Sequence, residues 1–406
     1  MEKIKIYTIT HKKFTCPRDT IYHPLHVGHA LAKDLGYPGD DVGENISEKN
    51  CYYSELTGLY WIWKNEKDAE YLGLCHYRRY FVNQDGFTMN ETEYMDILSK
   101  HDVIVSCPRM VEGSYYEEYK SAHSIENLEK TGEVLRELFP DYAEDFAQVV
   151  HGKKLYIGNL FAAPRKLFCA YAEWLFAIFF ELEKRIDVDS YDEYHKRVFG
   201  FLAEELLMVW VRHNKLDYYE CRFGCTQEKA ETLELKHKLR ELVAQQKFTE
   251  AREWFYGTLE KRPDVVLEVS DISQELEPMI QIIHTCEQEQ ALGLPCMAEL
   301  SLDLNVLLTH HKVLKQIIWN ISCGAESEKE ISYLIDSHAS WAAIMMVLLN
   351  QPEYGGQLVP LLNRLAEVFY GHGAYGNAGA FLEQALQREP DNPKTLENVR
   401  KMAGEG

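Results

Sequence analysis

Apolar and β-branched residues crowd together from Lys3 to Thr10, with Ile4 and Ile6 on one face and Tyr7 and Ile9 on the other. A strand covered on both sides reads this way, so a central strand is predicted here rather than the apolar core of a signal peptide. A stretch rich in Pro, His, Gly and Asp runs from His11 to Glu44, too long for a plain connection, and is expected to be a functional or disordered loop. Ser47 then offers an N-cap, and Tyr52, Leu56, Leu59 and Trp63 form one stripe of an amphipathic helix that ends near Asn65. A second strand is predicted over Glu70 to Cys75, a third over Asp102 to Cys107, and a further one over Leu155 to Ala163 with Gly158 inside it. That glycine suggests close approach of a backbone or ligand. Long helices are predicted from Pro164 to Arg185 and from Tyr191 to His213.

Strands alternating with helices at this spacing predict an α/β fold with a mostly parallel central sheet. Ligands of such sheets gather beyond the carboxyl ends of the strands, which places Thr8, His11 and the run His76 to Arg79 near one another. Beyond Thr226 strand signals stop and helical periodicity takes over. Phe248, Ala251, Trp254, Leu259, Pro263 and Asp264 align at one offset with Tyr375, Ala378, Phe381, Leu386, Pro390 and Asp391. Small residues between large ones and a closing proline are a tetratricopeptide-like pattern. Two domains are therefore expected, residues 1–225 and an all-α helical-repeat domain over 226–406, the latter suited to a protein partner or self-association.

The chain has 406 residues, 46% hydrophobic and 26% charged, with a formal net charge of -21. That charge argues against wrapping nucleic acid, which needs clustered Lys and Arg. The ten cysteines include no C-x-x-C pair, and a reducing, cytoplasmic setting fits them best. The most apolar stretch, Leu167 to Leu182, contains Glu173 and Glu181, so a buried helix is expected and no transmembrane segment.

The densest polar and aromatic cluster is Asn45-Ile-Ser-Glu-Lys-Asn50, then Glu55-Leu-Thr-Gly-Leu-Tyr-Trp-Ile-Trp-Lys-Asn65, then Leu72-Gly-Leu-Cys-His-Tyr-Arg-Arg-Tyr-Phe81. In this succession the chain resembles the polysaccharide-synthesis glycosyltransferases catalogued as domain of unknown function family 4422, over roughly Lys3 to Arg222. The resemblance implies a GT-A-like nucleotide-sugar-binding domain that moves a hexose from a UDP-sugar to a capsular, exopolysaccharide or other cell-surface glycan acceptor. Galactose or galactofuranose is the donor sugar suggested by some relatives. A lipid-linked acceptor would put the enzyme at the inner membrane face without spanning it.

Glycosyl transfer needs a positive or hydrogen-bonding group on the departing diphosphate and commonly a carboxylate to deprotonate the acceptor hydroxyl. Arg78 and Arg79 are expected to hold the diphosphate through their planar forks, although one of two adjacent arginines at a strand end can simply pair with a surface acid. His76 orients the diphosphate, holds a metal or satisfies a buried hydrogen bond, and Tyr77 sits beside it. Many GT-A enzymes hold Mn or Mg through an Asp-x-Asp at such a strand end. Here His-Tyr-Arg-Arg stands instead, which puts a divalent ion in doubt and makes basic side chains its natural substitute.

Glu204 borders an apolar helical run, and within the resemblance it matches the acidic position of a Gly-Phe-Leu-x-Glu pattern. It is expected to act as general base or acceptor binder, with a solvated helix face as the alternative. Thr8, His11 and Lys12 are expected to frame the nucleotide. Asn45, Lys49, Asn50 and Glu55 cluster at a helix start, where they either reach a ribose or sugar hydroxyl or serve as caps. Asn159 joins the expected substrate-binding set. Tyr53, Tyr60, Trp61 and Trp63 stack a ligand or, more commonly at helical spacing, form core. His23, His26 and His29 have zinc-like spacing but no acidic or cysteine partners nearby in sequence, and Asp187-Val-Asp189 follows a helix rather than a strand. A non-catalytic scaffold built on a degenerate transferase domain is the rival reading, favoured by the missing Asp-x-Asp.

Overall fold

The computed structural model describes residues 2–404 apart from 338, 352, 353, 355 and 356. The chain divides into two compact units, Met1–Gln227 and Glu228–Gly406. The first unit is built on a sheet whose strands are β1 (Glu2–Thr10), β2 (Tyr22–His26), β3 (Ala69–His76), β4 (Arg79–Phe81), β5 (Val103–Ser106), β8 (Phe161–Pro164), β9 (Tyr218–Cys221) and β10 (Phe223–Cys225); β6 (Arg109–Met110) and β7 (Lys154–Leu155) form a separate ribbon. β1 pairs in parallel with β2 and β3, and β5 in parallel with β9. β8 joins these halves antiparallel to both β3 and β5, while β4 runs antiparallel to β3 and β10. Thus β1, β2, β3, β5, β9 and β10 point one way and only β4 and β8 oppose them.

Both faces of the sheet are covered, as the double-sided pattern of Lys3 to Thr10 requires. The helices of this unit are α1 (Asn50–Tyr53), α2 (Leu56–Asn65), α3 (Glu91–Leu98), α4 (Tyr115–Ala122), α5 (Ile125–Leu138), α6 (Ala143–Val150), α7 (Arg165–Leu182) and α8 (Val198–His213). Tyr7, Ile9, Leu72 and Leu74 share one core with Phe168, Phe176, Leu202 and Leu206 from α7 and α8. Ile4, Ile6, Tyr22, Phe81 and Tyr94 form the core of the opposite face. α7 is the apolar stretch with two internal glutamates; its Phe176 and Phe179 are wholly buried. Among the described residues no single helix is long and apolar enough to cross a membrane.

Three local features differ from the sequence expectation. The stretch from His11 to Glu44 contains β2, which Pro24 disguises; β2 pairs along its length with β1 and on its other side has only a single bridge, His26 to Gly39, so it is an edge strand where a proline's missing N–H is tolerated. The helix expected from Ser47 is broken at Ser54, whose φ of 51° separates α1 from α2. Ser47 caps no helix: its hydroxyl is buried between the Ala30 amide, which donates to it at 3.1 Å, and the Asp40 carboxylate. The strand expected over Leu155 to Ala163 is split into β7 and β8 by a loop containing Gly158 and Asn159.

The second unit is helical among its described residues: α9 (Ala230–Ala244), α10 (Phe248–Lys261), α11 (Leu276–Leu292), α12 (Leu304–Ser322), α13 (Glu328–Asp336), α14 (Trp341–Leu349), α15 (Leu358–Gly371), α16 (Tyr375–Arg388) and α17 (Pro393–Ala403). α10 packs on α9 and α16 on α15, and both α10 and α16 precede a Pro-Asp pair. Ala251 and Ala378 are buried where the partner helices meet, but Phe381 is buried while its counterpart Trp254 is half exposed. Lys236 lies wholly buried in this unit, with its ammonium 2.6 Å from Glu228 and 2.5 Å from Asp271.

Candidate active site

The carboxyl end of β3 runs into a two-residue turn, Tyr77-Arg78, that pairs His76 with Arg79 on β4. The Tyr77 amide donates to the Ile9 carbonyl at 2.9 Å, so the ends of β1 and β3 stay together. His11, just past β1, sets its ring edge-on to Tyr77 at 5.4 Å, and Phe14 and Tyr37 extend this aromatic group. Arg78 is buried at the turn, with its carbonyl accepting from the Thr226 amide. Arg79 faces the loop ahead of β8. A Cβ on Gly158 would stand 2.9 Å from the Arg79 Nη1, and Gly158 has a φ of 91°. The backbone conformation favours glycine, and a side chain here would push the Arg79 guanidinium aside.

The next residue, Asn159, also has positive φ, 52°, a costly conformation for a side chain with a Cβ. Its amide group offsets that cost by donating to Glu55 Oε1 at 2.6 Å and to the Gly200 carbonyl at 3.0 Å. The Gly158 amide donates to Glu204 Oε1 at 2.6 Å. Consecutive residues of one loop therefore hold two carboxylates, one at the start of α2 and one inside α8. Arg197, at the N-cap of α8, donates from Nε to the Ser54 hydroxyl at 3.1 Å and lies over the Phe201 ring at 5.4 Å.

The charges of this group are unevenly set. Burial pushes Glu204 up to about 7, and the Glu55 charge adds to this against the pull of the Gly158 amide and Arg79. For Glu55 burial also works against the charge, but His76, Arg197 and the Asn159 amide outweigh it and hold the carboxyl below its usual range. Two carboxyls with opposed shifts are a way of assigning one to proton transfer and the other to permanent charge. Burial, reinforced by Arg79, Arg78 and Arg197, drops His76 to about 4 despite Glu55, so its ring is neutral at physiological pH. Its Nε2 is buried without a hydrogen-bond partner, as is Nε of Arg79. Among the described residues neither Arg79 nor Arg197 forms an ion pair with a carboxylate.

The structure thus brings together His76, Arg79, Glu55, Asn159 and Glu204, with His11 and Tyr77 at the neighbouring strand ends. It gives other expected residues different work. Thr8 is fully buried in the sheet with its hydroxyl 3.4 Å from the Cys75 sulfur, so it cannot frame a nucleotide. Lys12 is half-buried at a turn in which its amide donates to the Thr10 hydroxyl. Asn45 braces its own loop by donating to the carbonyls of Asp41 and Gly43. Lys49 pairs with Glu183 at 2.7 Å, tying α1 to the end of α7. Asn50 donates to the Ser54 carbonyl at 2.6 Å and to the Thr57 hydroxyl at 3.1 Å, holding the break between α1 and α2.

Glu205, next to the expected base, is buried with its carboxyl held well above the normal range by that burial, and accepts from the Tyr156 amide at 2.8 Å. The histidine cluster also differs from expectation: the fold brings Asp41 to 2.9 Å from His29, so acidic neighbours are present. Among the described residues, however, the one cluster of metal-ligand groups with converging atoms is Cys286, Glu289 and Cys296 in the helical unit. Arg197 was not singled out from sequence, because the helix expected from Tyr191 begins instead at Val198, which puts Arg197 at its N-cap. A cation at a helix N-terminus opposes the helix dipole, which makes a functional reason for it worth seeking.

Comparison with family profiles matches residues 5–215 to the Domain of unknown function (DUF4422). Among solved structures, the apo form of the WbbM bifunctional glycosyltransferase is similar, with 29% identity and a TM-score of 0.52 over 56% of this chain. The match covers 46% of that protein, so the chain spans less than half its length. No curated protein matches the chain. The fold is therefore that of a GT-A-like α/β domain followed by a helical region. With just over half of its residues matched, the chain belongs to the DUF4422 family.

Proposed function

We propose that the first unit is a glycosyltransferase that moves a hexosyl group from a UDP-sugar, with galactose or galactofuranose the preferred sugar, to a hydroxyl of a cell-surface glycan. The observation that carries this reading is the pair Glu55 and Glu204, oppositely shifted and held by adjacent loop residues near two guanidiniums, Arg79 and Arg197, that form no ion pair among the described residues. In this reading the aromatic group of His11, Phe14, Tyr37 and Tyr77 takes the nucleotide. Arg79, supported by Arg197 and Arg78, receives the diphosphate, and neutral His76 hydrogen-bonds to it. Such pairs are strong where water is excluded.

Glu204 then accepts the proton of the acceptor hydroxyl as that oxygen bonds to the sugar C1. The bond from C1 to the diphosphate oxygen breaks, and its electrons leave with UDP. A carboxyl poised near 7 is matched to this role at neutral pH. Arginine charge stands where many relatives of this fold place a metal-binding Asp-x-Asp, so Mn or Mg is not required. The helical unit takes a protein partner or a second copy of the chain, and the half-exposed Trp254 at a repeated position supports that assignment. A lipid-linked acceptor would draw the enzyme to the inner membrane face.

The test is to incubate purified full-length protein with a panel of UDP-hexoses and glycan acceptors and to follow the acceptor by mass spectrometry. A gain of one hexosyl residue, coupled to UDP release, is expected. Absence of both with every donor would contradict the assignment and favour a scaffold role.

A further inference from the structure

A cavity of about 300 Å³ opens between α4, α5 and the segment leading into α8, with Tyr119, His123, Asn127, Tyr191, Asp192 and Phe201 among its walls. Its volume lies at the lower end of the range of about 300–1,000 Å³ for small-molecule sites. That admits a sugar ring and is cramped for a nucleotide diphosphate. No lysine or arginine lines it, and its Asp192 carboxylate, already paired with His195, disfavours a phosphate.

Two hydrogen-bonding atoms of its walls are buried without partners: the hydroxyl of Tyr119, a residue only 4% exposed, and Nδ1 of His123. Buried polar atoms are normally satisfied, and orphaned ones call for an explanation. Other walls are built with care. Tyr191 donates to Asn127 Oδ1 at 2.9 Å, and the His123 ring stacks on Phe201 with centroids 4.3 Å apart. Burial leaves His123 neutral at physiological pH. Asp192, paired with His195 at 2.6 Å, adds an acceptor at the wall, and hydrogen-bonding groups set among aromatic rings match a neutral carbohydrate, whose hydroxyls bond and whose C–H faces pack on rings.

One helix links this cavity to a carboxylate of the site. Phe201 and Glu204 are three residues apart on α8 and share a helix face. Arg197 reaches Phe201 from the side of Ser54 and Glu55. Resting on the transferase reading, we infer that this cavity is the acceptor subsite, which holds a neutral hexosyl unit so that its hydroxyl meets Glu204.

The experiment uses the full chain with methyl galactoside, methyl glucoside and methyl mannoside as probes, and reads binding by saturation-transfer NMR in the presence of saturating UDP. Tyr119→Phe and His123→Phe keep the rings and delete the orphaned atoms. Each is expected to weaken the best-binding glycoside roughly 3- to 10-fold, the scale of one lost neutral hydrogen bond, while leaving UDP and UDP-hexose affinity unchanged. Because the Tyr119 hydroxyl has no protein partner, Tyr119→Phe is expected to melt no lower than wild type, so a binding loss cannot be ascribed to unfolding. Failure of every glycoside to bind, unchanged binding in both variants, or weakened UDP-hexose binding would each overturn the acceptor assignment. Glycoside binding without any UDP turnover on the acceptor panel would instead leave the subsite standing and sink the transferase reading.

Discussion

Glu55 and Glu204, 149 positions apart in sequence, are held by neighbouring residues of one loop, Asn159 and Gly158, each through a 2.6 Å hydrogen bond. Burial is the main cause that lifts Glu204 to about 7, and the charge on Glu55 adds to it. The acid limb of kcat/KM for transfer should therefore have an apparent pKa near 7, with activity rising as Glu204 loses its proton. Glu55→Gln removes the neighbouring charge and should move that limb to lower pH, whereas Glu204→Gln should cost about 100-fold or more in kcat. Stopped-flow UDP release across pH 5 to 9 (a range set by about two units on either side of neutrality) reads both; a limb unmoved by Glu55→Gln would contradict the coupling.

The same shift affects stability. Glu204 binds its proton more tightly folded than unfolded, so its contribution to stability is fully present below its ordinary value and is lost as pH rises towards the folded one. Between its ordinary value of 4.5 and about 7 the stability contributed by this group falls as pH rises, and above that it is flat. Glu205, raised in the same sense, adds to the slope. Denaturant melts at several pH values should show a shallower decline in Glu204→Gln than in wild type.

Gly158→Ala tests the loop itself. The new Cβ would meet Arg79 Nη1 and the Leu160 Cδ1 at 2.9 Å each, in a backbone conformation with φ 91°. A stability loss of about 1–3 kcal/mol is expected, together with weaker UDP-sugar binding as the guanidinium is displaced. Calorimetric titration with UDP-hexose at a temperature where the variant is folded separates the two effects.

Glu205 and Glu204 are adjacent but should respond differently. Glu205 holds the Tyr156 amide from a buried position and faces no reacting group. Glu205→Gln retains the acceptor oxygen and should leave turnover within about threefold, while Glu205→Ala orphans that amide at a cost of about 1–3 kcal/mol. Equal loss of turnover in Glu205→Gln and Glu204→Gln would contradict this division of roles.

In the helical unit, Lys236→Ala should destabilise by about 3–5 kcal/mol, because buried Asp271 and part-buried Glu228 would be left without their cation. Lys236→Met combined with Glu228→Gln and Asp271→Asn should recover much of that loss. Thermal melts of the full-length variants check both.

Much of the sheet was legible in the sequence because its central strands are covered on both faces and read as unbroken apolar runs. β2 was not, because Pro24 masks an edge strand. The motif His76 to Arg79 was readable as a strand end, but the two arginines expected to act together are set apart, since Arg78 sits in a turn and only Arg79 continues into β4. Asn45, Lys49 and Asn50 carry the residue types of a binding site, yet their partners are Asp41, Glu183 and Ser54. Pairings with residues far along the chain cannot be seen from local spacing. The same limit hid Arg197, whose neighbours Ser54 and Glu55 lie on another helix.

The most direct test measures UDP release from the preferred UDP-hexose, with a competent acceptor, in excess EDTA, for wild type and Arg79→Ala. Turnover by wild type should persist in EDTA and fall by about 100-fold or more in Arg79→Ala. Turnover abolished by EDTA in wild type, or undiminished in Arg79→Ala, would contradict the claim that arginine charge carries the departing diphosphate.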